Sequence, residues 1–245
     1  MKKYNLLKMF FGFSLLLFLP NCERPIGWAK KTFNQGTTVK NNKKEVEKYI
    51  KESKIYDEFK TVGMATAMWL SEEVRVIHGQ IAAKRLGLDE QKTADLISDA
   101  IMENRKNISF YVLGYKYDDS FKMLTDPACA WSVRLRLDDE VFINPTIKSV
   151  ELDPEYNYLF KHHYSFYREP YLLHFREPYL ITFDMSSFKS AKARLKDVNC
   201  MKLEFVKVDR IGTLTWGFKD KKLLGSYKAW KQCKDKKQES SEKKS

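Results

Sequence analysis

Cysteine offers this 245-residue chain its most specific chemistry, because its thiol can be acylated, oxidised to a disulfide or, as thiolate, act as nucleophile or metal ligand. Cys22 follows an apolar run, whereas Cys129, Cys200 and Cys233 lie in the body of the chain. The three body cysteines allow three single pairings, and Cys129 with Cys200 is the favoured one, since both adjoin predicted strands. No C-x-x-C is present, so a thioredoxin-type redox site has no support. The histidines are His78, His162, His163 and His174, with no H-E-x-x-H or other zinc spacing. In a strand, His162 and His163 would face opposite sides, which argues against both ligating one ion. His78 reads as a boundary residue on a helix. Acidic runs at Asp118-Asp119, Asp138-Asp139-Glu140 and Glu151-Leu152-Asp153 have the residue types for oxygen ligation of calcium, but they sit where hairpin turns are expected and no EF-hand loop occurs. Neither G-x-S-x-G nor a glycine-rich phosphate loop is present. No catalytic residue, metal ligand or cofactor is assigned, and the balance of residue types points away from an enzyme.

The elements that would position these groups follow from hydrophobic period. Over 44–107 the pattern favours helix. Val46, Tyr49 and Ile50 share one short face, and Met64 to Leu70 lead into Val74, Ile77 and Ile81 at three-to-four spacing. Gly87 is a helix stop and Asp89 an N-cap for a second helix carrying Ile97 and Ile101 one turn apart. From Ile108 the period becomes two, with Trp131, Val133, Leu135 and Leu137 alternating with Ser132, Arg134 and Arg136. Asp138 to Glu140 form a turn into Val141-Phe142-Ile143, and further strands are expected over 146–152, 158–167, 171–176, 179–184, 199–208 and 211–218. A short helix is expected within Ser186 to Lys196. Arg168-Glu169-Pro170-Tyr171-Leu172 recurs as Arg176-Glu177-Pro178-Tyr179-Leu180, which suits two successive strand entries. The ring-rich stretch from Tyr156 to Tyr167 reads mainly as strand filling.

Charge divides the chain further. The net charge is +12, yet 1–21 carry +3, 22–54 carry +5 and 228–245 carry +4, so the core 55–227 is neutral. Basic flanks of this kind are mostly solvated spacers. A neutral core gives no support to a nucleic-acid partner.

Residues 1–21 have the parts of an export signal: Lys2, Lys3 and Lys8, then the apolar run Met9 to Leu19. That run is well short of the ~20 residues that span a bilayer. Leu19-Pro20-Asn21-Cys22 then resembles the lipobox of bacterial lipoproteins, with Pro20 and Asn21 standing where small residues are usual. Relaxed lipoboxes of this form are similar to those of spirochaetes. The resemblance implies that Cys22 takes a diacylglyceryl group, that the signal is cut before it, and that the protein is membrane-anchored in the cell envelope, facing the periplasm or the exterior. Two or more acyl chains hold firmly where one holds marginally. Residues 22–43 then read as a polar tether, reaching roughly 25 Å by coil statistics.

The expected organisation is therefore a signal over 1–21, a tether over 22–43, a helical segment over 44–107, an antiparallel β domain over 108–230 and a lysine-rich disordered tail over 231–245. The fold class is α+β, an N-terminal helical hairpin followed by an antiparallel β-sandwich or barrel-like domain. The expected function is a non-enzymatic binding module, with an envelope protein or a glycan as partner and an envelope hydrolase as the alternative.

Overall fold

The computed structural model describes residues 42–57, 60–116, 124–151, 153–160, 176–186, 194–219, 222–224, 228–229, 231 and 233. The chain divides into two units, Met1–Lys44 and Glu45–Ser245, and the account below concerns the second. It is a mixed helix and sheet fold in the chain order β1 (Ile50–Asp57), β2 (Lys60–Trp69), α1 (Glu72–Leu86), α2 (Glu90–Lys106), β3 (Asn107–Lys116), β4 (Ser132–Leu137), β5 (Glu140–Phe142), β6 (Thr146–Ser149), α3 (Pro154–Phe160), β7 (Arg176–Asp184), β8 (Cys200–Lys207), β9 (Arg210–Lys219) and β10 (Lys222–Leu223). Among the described residues the strands form two five-stranded antiparallel sheets, ordered β1-β2-β3-β7-β6 and β10-β9-β8-β4-β5. Both sheets are open, with no closed barrel among the described residues.

The junction between the two helices stands where Gly87 and Asp89 predict it. Ser71 Oγ accepts the Val74 N–H at the start of α1, and Gly87 ends it in the left-handed region (φ 65°) that glycine adopts without a Cβ clash. Asp89 caps α2 by accepting the Lys92 N–H at 2.8 Å, which holds its own carboxyl below the usual range. Gly79 lets the helices approach closely, since a Cβ there would stand 2.7 Å from Ile97 Cγ1.

The stretch preceding α1 overturns the helical expectation for 50–69. It forms the β1–β2 hairpin, so the helix pair connects β2 to β3 rather than preceding the strands. The physical reason lies in β2, where every side chain from Met64 to Trp69 is buried. A strand covered on both faces has no alternation, and a short continuous apolar run looks the same in helix and strand. Strand β4 shows the opposite case, with Val133, Leu135 and Leu137 buried and Ser132, Arg134 and Arg136 outward, as their alternation predicts. On that outer face Glu204 of β8 takes hydrogen bonds from Arg134 Nε (2.6 Å) and Arg136 Nε (3.3 Å).

The expected strand 158–167 is also overturned where it is described: 154–160 form α3, which buries Tyr156, Leu159 and Phe160 on one helical face. The remainder of that strand, the first Arg-Glu-Pro-Tyr-Leu copy, most of 186–196, Tyr227 and Trp230 lie outside the described residues. The second copy opens β7, where Pro178 faces Leu113.

One core joins the sheets through β1 and β9. Trp216 is fully buried and its Nε1 donates to Tyr49 O at 2.9 Å, the same carbonyl that accepts the Trp69 N–H. Phe110 packs on Trp216 (5.2 Å between centroids) and on Phe183 (6.3 Å). Burying each such ring contributes about 1.5–3 kcal/mol.

The disulfide is a correction to the Cys129–Cys200 expectation. Cys200 is joined to Cys233, with Cα atoms 5.5 Å apart, and Cys129 is not in a disulfide. Cys129 lies three residues before Ser132, whose partner across the β4–β8 ladder is Val206 at the far end of β8 from Cys200. Six residues of strand span about 20 Å, beyond the ~7 Å limit for a bridge. Cys233 instead arrives beside Cys200 because Ala229 packs on Gly217, the β9 partner of Cys200, where a Cβ would stand only 2.6 Å from Ala229 Cα. The buried Cys233 therefore belongs to the fold rather than to a disordered tail.

Candidate functional site

A cleft of about 1080 Å³ opens beside the first turns of α1. That face of α1 contributes Glu72, Glu73, Val76, Ile77 and Gln80, and α2 adds Ile101, Asn104 and Arg105. The second sheet side supplies Phe218, Lys222 and Leu223, with Leu195 and Lys196 from the segment before β8, while Glu45, Lys48 and Tyr49 come from the segment before β1. Its floor is fixed by the main chain around it. Leu70 N donates to Ser109 O at 2.9 Å, and Asn104, turned with its amide nitrogen to Leu70 O (2.6 Å), accepts from the Glu72 N–H at 2.9 Å. Tyr49, Trp69 and Phe218 pack edge to face in series, each pair 5.7 Å between centroids. At the rim Glu73 is held by the Tyr49 hydroxyl and by Lys48 Nζ (3.2 Å), and the same ammonium lies 5.0 Å from the Tyr49 ring centroid.

The opposite face of α1 carries a different set. At 3.6 residues per turn, Arg75, His78, Ala82 and Arg85 project about 180° away from the cleft face. Arg75 is only 6% exposed and its Nη1 donates to Glu103 Oε2 at 3.1 Å. The His78 ring stacks on Tyr156 of α3 (3.7 Å between centroids, 13° between planes). Its Nε2 lies 3.5 Å from Asp153 Oδ2, near enough for an ion pair once the ring is protonated. Arg75 Nη2 and His78 Nε2 are both buried without a hydrogen-bond partner among the described residues. Arg85 binds Glu155, whose side chain is 3% exposed.

Burial governs the electrostatics of this seam. Desolvation lowers the His78 pKa; Arg75 and Arg85 push it the same way, while Asp153 and Glu155 oppose. The ring is therefore neutral at neutral pH. Desolvation raises the Tyr156 phenol far above its ordinary range and raises Tyr111 as well, so neither is a ready nucleophile. For Glu155 burial acts upward, but the hydrogen bond from Arg85 prevails and holds the carboxyl below its usual range.

The residues singled out from sequence separate on this frame. His78 is a packed member of the α1–α3 seam. Asp138 is a turn residue at φ 50° whose carboxylate accepts the Asn199 and Cys200 N–H groups at 3.1 and 3.0 Å, leaving it committed to the fold. Among the described residues no three His, Cys, Asp or Glu side chains are grouped to hold a metal ion. Cys22, His162, His163, His174 and Asp118-Asp119 lie outside the described residues. The cleft itself has no sequence signature, because its walls come from segments spread between Glu45 and Leu223. No family model, no curated protein and no solved structure matches this chain. Among the described residues no helix is long and apolar enough to cross a membrane.

Proposed function

We propose that this protein is a bacterial lipoprotein anchored in the cell envelope through an acylated Cys22, carrying a two-sheet, sandwich-like binding domain on a polar tether. The observation that carries the reading is the order of the first 22 residues: a basic start, an apolar run of signal length, then Leu19-Pro20-Asn21-Cys22. The binding role is non-enzymatic and rests on the cleft, whose lining combines apolar side chains with a charged rim. The partner is an envelope component, reached without nucleic-acid contact.

Detergent-phase partitioning tests the anchor. Wild-type protein made in a bacterial host enters the detergent phase, and a Cys22→Ala variant moves to the aqueous phase. Equal partitioning of the two would defeat the reading.

One observation favours the alternative, an envelope hydrolase: His78 converges with Asp153 and Glu155. The two readings part at that residue. In a hydrolase, His78→Phe abolishes turnover; in a binding module it leaves cleft binding intact, because the ring lies across α1 from the cleft.

A further inference from the structure

We infer that the cleft beside α1 binds a single-chain amphiphile with an anionic head, the chemistry shared by a long-chain fatty acid and a lysophospholipid. This rests on the binding-module reading and names its ligand.

Four features support it. The volume, about 1080 Å³, is at the upper end of small-molecule sites. Val76, Ile77, Ile101, Ile108, Leu195 and Leu223 supply apolar lining from both helices, β3 and the second sheet side. Lys48 and Glu73 pair with each other, which leaves Arg105, Lys196 and Lys222 against Glu45 and Glu72 in the lining, an excess of one positive charge. A small positive excess beside these apolar side chains suits an anionic head and an apolar chain. Finally, on the proposed lipid-anchored reading a membrane amphiphile is the ligand source at hand.

The same features disfavour a glycan. Sugar stacking needs an open ring face, whereas Tyr49, Trp69 and Phe218 are all buried and packed edge to face on one another.

The test uses the full chain with Cys22→Ser, so that no acyl chain of its own competes. Calorimetric titration with palmitate below its aggregation threshold should show one saturable site. Each methylene leaving water is worth about a fourfold gain in affinity, so dodecanoate should bind at least tenfold more weakly. Hexadecyltrimethylammonium, with a similar chain and the opposite head charge, should also bind at least tenfold more weakly than palmitate. Val76→Trp, at a half-buried lining position, should reduce palmitate affinity tenfold or more with the unfolding midpoint kept. Lys196→Glu with Lys222→Glu should invert the head-group preference, and this holds the inference testable if Val76→Trp fails to fold. Absence of saturable palmitate binding to folded protein would overturn the inference, as would indifference to head charge or to both sets of substitutions. Self-association of the protein that palmitate does not reverse would assign the cleft to a second copy and overturn it too. Acylation of Cys22 is read separately on wild-type protein, so an acylated chain that ignores palmitate sinks only the ligand assignment.

Discussion

The two faces of α1 put polar and charged side chains to opposite uses. On the cleft face Glu72, Glu73, Val76 and Gln80 meet solvent at the edge of an open volume. On the other face Arg75, His78 and Arg85 are tied to two other helices: Arg75 to Glu103 in α2, and His78 and Arg85 to Tyr156 and Glu155 in α3, with Asp153 just before it. Perturbed ionisation often marks a functional site. Here His78, Tyr156, Tyr111 and Glu155 lie along a packed seam, where burial and ion pairing fasten α3 to α1, and the cleft lies on the other side of α1. A strongly shifted pKa reports desolvation first, and function only where there is room for a reactant.

That contrast is open to attack from both sides. The largest effect should come from the staple beyond the cleft, because Phe218 N donates to Asn199 O next to the disulfide. Closing a loop of 33 residues contributes about 3–4 kcal/mol, so Cys233→Ser should lower stability by that amount in urea unfolding. On the seam, Arg85→Ala leaves the buried Glu155 carboxylate without its counter-ion. Such losses reach about 3–5 kcal/mol when both partners are buried; with Arg85 half-exposed, about 2–3 kcal/mol is expected in the same assay. On the cleft face, Glu73→Gln removes an exposed ion pair with Lys48 and should lower stability by less than about 1 kcal/mol. Equal losses from Arg85→Ala and Glu73→Gln would erase the distinction between the faces.

The smallest effect is a pH slope. The folded-state pKa of His78 lies below its ordinary 6.5, so the unfolded chain takes up the proton more readily. The His78 contribution is therefore complete above 6.5 and is lost as pH falls through the lowered folded value. His78→Phe keeps a ring against Tyr156 and should flatten the decline in stability just below pH 6.5, measured by unfolding at successive pH values.

Local rules made parts of this arrangement legible from sequence. Gly87 and Asp89 mark the helix junction through cap chemistry that needs no tertiary context, and the alternation from Trp131 to Leu137 exposes β4 because one of its faces stays wetter. Strand β2 is not legible as a strand because burial on both faces removes the period that identifies one. Cys233 looked like tail because lysines surround it, and only the packing of Ala229 on Gly217 shows why it returns to Cys200. The cleft was invisible for the same reason: Lys48, Val76, Arg105 and Lys222 become neighbours of one space only after the two sheets and the helix pair have packed.

The central proposal, that the protein is lipid-anchored through Cys22, is tested most directly by the mass of the mature amino-terminal peptide from wild-type cells. The account predicts a peptide beginning at Cys22 and carrying a diacylglyceryl group, with that species absent from the Cys22→Ala variant. A peptide with an unmodified Cys22, or one that still begins at Met1 on protein recovered outside the membrane, would contradict it.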